Sequence, residues 1–334
     1  MTKHIDCKLN MRLKEIYRPI EKELEAVSEL LRNSLTSSKS KSIAQICNYL
    51  LDGKGKKLRP ALVLLSGKAT NPSSATNPML IKIACGIELI HAASLIHDDV
   101  IDHSKLRHNK PTINSRWGQD VSIALGDYLY SVASEVISGC GNMDILQCIT
   151  SATKAMCEGE LIQVSERDNL DLLKERYIII VKKKTASLFA ASCEAGSLFS
   201  ETRKPLQNAL KSYGMNFGIA FQITDDYLDI VSEKKRLGKN PGQDLDVGET
   251  TLPLLNLLEL VPPRERKELK KLIAAKGDKL SLEKIKSSLF QTGAAEKTKE
   301  EVLSYTRIAK KNLDDLPESV FKRSLISLAD CIVW

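Results

Sequence analysis

The stretch SLIHDDVID, Ser94 to Asp102, places Asp98, Asp99 and Asp102 among Leu95, Ile96, Val100 and Ile101, side chains that suit a buried helix. Burying a carboxylate is costly unless it is paired or bound to metal. Upstream, Asn77-Pro78 supplies a capping residue followed by proline at the first helical position. Leu80, Ile83, Ala84, Ile87 and Ile90 then recur at helical spacing, which predicts a helix over 78–102. On that helix Asp98 and Asp102 point the same way, with Asp99 about 100° round. The face they share reads His91, Ser94, Asp98, Asp102. Acids at a helix C-terminus oppose the macrodipole and repel one another. A solvated helix end is one resolution, and a divalent cation held by carboxylate oxygens is the other.

Repetition favours the cation. FQITDDYLDI sets Asp225, Asp226 and Asp229 in the same DDxxD spacing, near the end of another apolar run that opens at Lys204-Pro205. Gly214 and Gly218 in that run are expected to permit close helix packing. Each acidic cluster leads into a basic loop, with Arg107 and Lys110 after the first and Lys239 after the second. Two like-charged columns facing one cavity coexist when divalent cations lie between them, and Mg²⁺ keeps coordination positions for substrate phosphates. The pattern points to a diphosphate clamped through metal.

Further helical windows fall at 11–34, 39–51, 60–67, 121–138, 143–164, 171–199, 265–275, 281–291, 294–313 and 317–332. The stretches 53–57, 70–78, 104–112 and 236–253 read as polar turns, and none resembles an interdomain linker. Aromatic content is 5% and strand-like alternation is missing, so the 334 residues are expected to form one all-α domain of ten or more helices. The net charge of +7 is compatible with an anionic small substrate, and no nucleic-acid partner is expected. Eight cysteines, at 7, 47, 85, 140, 148, 157, 193 and 331, include no CxxC pair and fit reduced thiols. With no signal-peptide core and no uninterrupted apolar run of membrane-spanning length, a cytoplasmic protein is expected.

Other polar residues sit where such a site needs them. GKGKKLRP places Lys56 and Arg59 in a glycine-bearing turn at a helix start, a setting that suits phosphate. KKKTASLF brings Lys184 and Thr185 to a point where a lysine run turns inward. Gln222 lies three residues before Asp225 on the same face, where its carbonyl oxygen would meet a developing cation.

Seven motifs in order, GKGKKLRP, ELIHAASLIHDDVID, LRHNKPT, GDYLY, KTASLF, FQITDDYLD and LGKNPGQDLDVGETTLPLL, resemble the trans-polyprenyl diphosphate synthases of the isoprenoid synthase family. The resemblance implies an isoprenoid synthase fold, a large helical bundle around a central cavity. It implies Mg²⁺-dependent condensation of isopentenyl diphosphate with an allylic prenyl diphosphate, with about three Mg²⁺ ions per site and Mn²⁺ as a substitute. Asp98, Asp102 and Asp225 would be the ligands, supported by Asp99, Asp226 and Asp229. Arg107, Lys184 and Lys239 would contact the allylic diphosphate, Lys56, Arg59 and His91 the isopentenyl diphosphate, and the Thr185 and Gln222 oxygens the carbocation. A homodimer and a peripheral membrane contact for product release are implied as well.

Two positions depart from the family pattern. His108 stands where a second arginine is usual, followed by Asn109 in place of glycine, and Glu249 stands where lysine is frequent. Both remove positive charge, so a lowered affinity for isopentenyl diphosphate is expected. Ala93 and Ser94, one turn before Asp98, are small where an aromatic side chain would close the channel for the growing chain. A product longer than fifteen carbons is therefore expected. The alternatives are a geranylgeranyl diphosphate synthase or a subunit of a heteromeric prenyltransferase. A terpene cyclase would carry a divergent second metal motif. An HD-type phosphohydrolase would need dispersed histidines, whereas four of the five here (91, 97, 103 and 108) lie close together.

Overall fold

The structure is a computed structural model that describes residues 11–36, 40–53, 55–71, 77–107, 109–200, 203–232, 242–276 and 279–332. His108 and Lys239 lie outside the described residues. Residues 11–17 are helical and pass through a 3₁₀ turn at Arg18–Ile20 into α1 (Glu21–Thr36), followed by α2 (Lys41–Leu51) and α3 (Leu58–Thr70). The long α4 (Pro78–Ile101) carries the first acidic motif. A two-residue antiparallel ribbon, β1 (Leu106–Arg107) with β2 (Lys110–Pro111), leads to α5 (Ile113–Trp117), α6 (Gln119–Ser138) and α7 (Met143–Ser165). Next come α8 (Lys174–Val181), a π-helical turn at Lys182–Ala186 and α9 (Ser187–Phe199). The second acidic motif ends α10 (Lys204–Val231), and the chain finishes with α11 (Gln243–Val247), α12 (Leu252–Leu260), α13 (Pro263–Ala274), α14 (Lys279–Gln291), α15 (Ala294–Lys311) and α16 (Val320–Ile332).

The capping chemistry read from sequence is used as expected. Asn77 Oδ1 accepts from the Met79 backbone N–H at 2.9 Å, and Pro78 takes the first helical position. α4 packs chiefly on α6 and α3, while α9 lies against α10, α3 and α7. By length and composition α4 could cross a membrane, but it lies in the bundle interior with Ile83, Ala84, Cys85 and Ile87 fully buried, as a core helix does. Buried apolar side chains from α1 to α10, α12, α15 and α16 form the main core, and Tyr227, Ile230, Leu254, Leu257, Ile285 and Leu289 belong to a smaller cluster. The described cysteines are unpaired, and Cys47, Cys85, Cys140 and Cys193 are buried.

Three short helices were read as turns or passed over. α5 has a single helical turn and α11 spans five residues, too short for apolar periodicity to register. α12 is apolar almost throughout (LPLLNLLEL), so it carries no amphipathic pattern, and it is buried on nearly every side. The ribbon at 106–111 explains one departure from the family pattern. Asn109 sits in the left-handed region at φ 62°, where asparagine and glycine are the residues best tolerated.

At Gly214 the backbones of α9 and α10 approach closely. A Cβ there would lie 2.5 Å from the Phe189 carbonyl oxygen and 2.8 Å from Ala190 Cα, both backbone atoms that cannot yield locally. Gly214→Ala is expected to lose about 1–3 kcal/mol through overpacking, read as a lowered denaturant midpoint at unchanged slope.

Candidate active site

Each acidic motif divides its carboxylates between the site and the scaffold. Asp99 is buried and takes a forked contact from Arg107, with Nε at 3.0 Å and Nη2 at 2.9 Å from Oδ1. Asp98 is enclosed, and Asp102 caps the end of α4. In the second motif, Asp226 accepts from the Tyr177 hydroxyl at 2.6 Å and from Gln222 Nε2 at 2.7 Å. Asp229 accepts from the backbone N–H of Asp244 at 3.1 Å and so anchors the start of α11. Asp225 is exposed beside these two. Asp99, Asp226 and Asp229 are thus each held by a hydrogen-bond partner elsewhere in the bundle.

The cations come from helices that the sequence separates widely. Lys184 lies in the π-turn and pairs with Glu160 of α7 at 2.5 Å. A π-turn inserts a residue and re-aims the side chains after it. α7 can lie against it because residue 159 is glycine, where a Cβ would fall 2.4 Å from the Lys184 backbone nitrogen. Next in the chain, Thr185 Oγ1 donates to Gln222 Oε1 at 2.7 Å. A chain of hydrogen bonds therefore runs from Tyr177 through Asp226 and Gln222 to Thr185. It fixes the Gln222 amide with its oxygen on the Thr185 side.

The two acidic motifs meet electrostatically through Glu249. Burial is the first cause lifting the Glu249 carboxyl above its ordinary value, opposed by Lys184 and reinforced by Asp102 and Glu160. Burial also pushes Asp98 up to about 7, against Lys184, with Glu160 and Asp102 adding to the rise. Asp226 is likewise pushed up to about 7 by burial, although bonds from Tyr177 and Gln222 favour its charged form; Asp225 and Glu249 act the other way. For Lys184, burial disfavours the ammonium, but Asp98, Glu160 and Glu249 outweigh it and hold the pKa above the ordinary lysine value. Acids from α4, α7, α10 and the 248–251 turn are thus crowded around few positive charges.

A basic corner adjoins this acidic one. Arg59 is buried, stacks 4.2 Å over the Phe189 ring and places Nη1 3.0 Å from His91 Nε2. Burial, then Arg59 and Arg107, push His91 well below the ordinary histidine value. The ring is neutral, so Nε2 accepts from Arg59 and the proton sits on Nδ1. Lys56 is exposed, and its carbonyl accepts from the Tyr17 hydroxyl at 2.9 Å. Ala93 is 1% exposed, while half-buried Ser94 turns its hydroxyl back to the His91 carbonyl at 2.9 Å.

Sequence reading missed Glu88, Glu160, Gln163, Arg167 and Tyr177. Glu88 lies one turn before His91 and is enclosed beside Arg59 and Lys57. Gln163 donates to Glu249, and Arg167 Nη2 lies 2.5 Å from Asp102. The pair Glu160 and Gln163, a helical turn apart in an otherwise ordinary amphipathic segment, was the available signal. Tyr177, in the apolar run RYIIIV, gave none.

The donor set is oxygen-rich and suits a hard divalent cation, and buried Glu160 Oε1 has no hydrogen-bond partner among the described residues. Among those residues no three acid, histidine or cysteine groups stand ready-made as a metal cluster, since Lys184, Arg107 and Arg167 occupy the carboxylates instead.

A helical bundle that crowds two aspartate columns, a neutral histidine and buried cations around one acidic centre is built as a diphosphate-handling enzyme. The comparisons agree. A family model described as polyprenyl synthetase matches residues 40–289. A short chain isoprenyl diphosphate synthase from Methanothermobacter thermautotrophicus is 33% identical, over 96% of this chain and 98% of the relative. The octaprenyl diphosphate synthase of Escherichia coli is 30% identical, over 97% and 99%. Among solved structures, a polyprenyl synthase from Caulobacter crescentus, complexed with calcium and isoprenyl diphosphate, superposes with a TM-score of 0.91 at 31% identity, covering 96% and 97%. The chain belongs to the polyprenyl synthetase family and is a trans-prenyltransferase with the isoprenoid synthase fold.

The raised carboxyls have a measurable consequence. Asp98 and Asp226 titrate near 3.8 when unfolded and at about 7 when folded. Between those values the two folded-state carboxyls hold protons that the unfolded chain has released, so their contribution to stability falls as pH rises through that window. In thermal melts without divalent metal, Asp98→Asn and Asp226→Asn should therefore gain in midpoint relative to wild type as pH rises from about 4 to about 7. A gain over wild type that is no larger at pH 7 than at pH 4 would contradict the burial described.

Proposed function

We propose that the chain condenses isopentenyl diphosphate with an allylic prenyl diphosphate, in a Mg²⁺-dependent reaction, to give an all-trans product longer than fifteen carbons. The observation that carries this is the convergence on Glu249 of Asp102 from the first DDxxD motif and Asp226 from the second, with Lys184 between Glu249 and Asp98. The family is Mg²⁺-dependent in general. Asp98, Asp102 and Asp225 would hold the metal, which when bound neutralises charge on the departing diphosphate. About three ions per site is the family expectation, with Mn²⁺ able to substitute.

The chain's own residues then act on the two substrates. Lys184, kept charged by its acidic neighbours, offers an ammonium to the allylic diphosphate, as would Lys239 and Arg107. Arg59 and neutral His91, which lie together, would take the isopentenyl diphosphate with exposed Lys56, a part the family resemblance also gives to His108. Leaving-group departure separates a carbocation from diphosphate, and the Thr185 and Gln222 oxygens lie on one fixed network to stabilise it. The isopentenyl double bond attacks that cation, and the proton then lost passes to the released diphosphate. Fully buried Phe189, under the Arg59 guanidinium, and Phe217 beside it back the basic corner with apolar surface.

One relative is named for short chains and another for octaprenyl products. Small Ala93 and Ser94 favour the longer class here, and residues 1–334 acting as one domain of a cytoplasmic homodimer complete the reading. Incubating the purified chain with Mg²⁺, isopentenyl diphosphate and a panel of allylic diphosphates, and resolving products by length, tests it. Products beyond fifteen carbons are expected, and Ser94→Phe should shorten them. An unaltered distribution in Ser94→Phe would sink the channel assignment, and no product with any primer would favour the partner-subunit alternative.

A further inference from the structure

Arg167 follows the end of α7 and has no part in the reading above. Its neighbour fixes it in place. The Asp168 backbone N–H donates to the Gly248 carbonyl at 2.8 Å, and the Asp168 carboxylate pairs with Lys276 at 2.6 Å. Asp168 itself takes a left-handed conformation, φ 62°, which turns the chain so that Arg167 points to the end of α4. There Nη2 contacts Asp102 at 2.5 Å, Nη1 lies 3.4 Å from the Ile101 carbonyl, and Glu249 is 4.0 Å away. The guanidinium is thus wedged between an acid of the first motif and the acid beside the second.

Its donors are not all spent. Nε is buried and has no hydrogen-bond partner among the described residues. A buried unsatisfied N–H is costly, and on a guanidinium at an anion site it marks where an acceptor is to come. The neighbouring cations are more fully engaged. Arg107 turns Nε and Nη2 onto Asp99, and Lys184 is paired with Glu160. A planar guanidinium can hold Asp102 with one edge and meet phosphate oxygens with another, which a lysine cannot do.

We propose that Arg167 is a substrate-contacting residue that binds the diphosphate group through its unspent Nε edge while Nη2 orients Asp102. It rests on the reading of Asp98 and Asp102 as the diphosphate end of the site. The ligand class is a diphosphate, either the allylic substrate's or the one released.

Calorimetric titration of the full chain with inorganic pyrophosphate in Mg²⁺ separates the possibilities, using wild type, Arg167→Gln, Arg167→Lys and Asp98→Asn. Arg167→Gln should weaken pyrophosphate about tenfold or more, as expected for a lost charge-assisted contact. Arg167→Lys, which keeps charge but loses the fork, should fall between that variant and wild type. In steady-state assays Arg167→Gln should raise KM for the allylic diphosphate and leave KM for isopentenyl diphosphate unchanged. Pyrophosphate affinity unchanged in Arg167→Gln, with Asp98→Asn still abolishing binding, would overturn this inference and spare the functional reading. Equal weakening in Arg167→Gln and Arg167→Lys, with lowered melting temperatures in both, would also overturn it, by assigning Arg167 to structure. Wild-type affinity retained in Asp98→Asn would overturn the functional reading itself.

Discussion

Carboxylates that would repel one another are gathered in an enclosed site, and the rest of the structure is arranged around that constraint. α4, α7 and the 248–251 turn each contribute an acid to the neighbourhood of Lys184, and Asp226 of α10 joins them through Glu249. Such a cluster is tolerable only with compensating charge. Among the described residues that charge comes from Lys184, Arg107 and Arg167, while burial keeps Asp98 and Asp226 up at about 7. The same crowding makes the site receptive to a divalent cation, because binding one relieves a repulsion that the fold already bears.

Placing one lysine correctly takes several coordinated features. The π-turn shifts the register between α8 and α9, and Gly159 lets α7 close on its backbone. Glu160, next to that glycine, then receives the ammonium. Thr185 follows in the chain and joins Gln222, which joins Asp226, which joins Tyr177. Backbone packing and the polar network therefore fix the same group of side chains, as catalysis by a preorganised field requires. The turn after the first acidic motif is tied as well, to the start of α11, by the hydrogen bond from Gln243 to Ser104.

The parts legible in the sequence are those with a period or a repeat. The DDxxD spacing recurs, Asn77-Pro78 opens α4 as a capping pair should, and the apolar residues of α4 and α10 fall at helical spacing. Hidden parts depend on distant pairing. Nothing near Arg167 announces Asp102, and nothing near Tyr177 announces Asp226, because each contact spans many residues and several helices. Glu249 was legible as a departure in charge, but its place between the two motifs needed the fold. The π-turn was also invisible, since a single inserted residue leaves apolar periodicity almost intact. α12 was missed for the opposite reason, being apolar on every face.

The central claim is that the two aspartate motifs make one site, and a double-mutant cycle on turnover tests it most directly. Asp98→Asn and Asp225→Asn should each reduce kcat/KM by about 10²-fold or more, the scale of losing a group that stabilises developing charge. Residues that act as a unit are strongly non-additive, so the double variant should be little worse than either single one. Losses that multiply in the double variant would show that the two motifs act independently and would contradict the account.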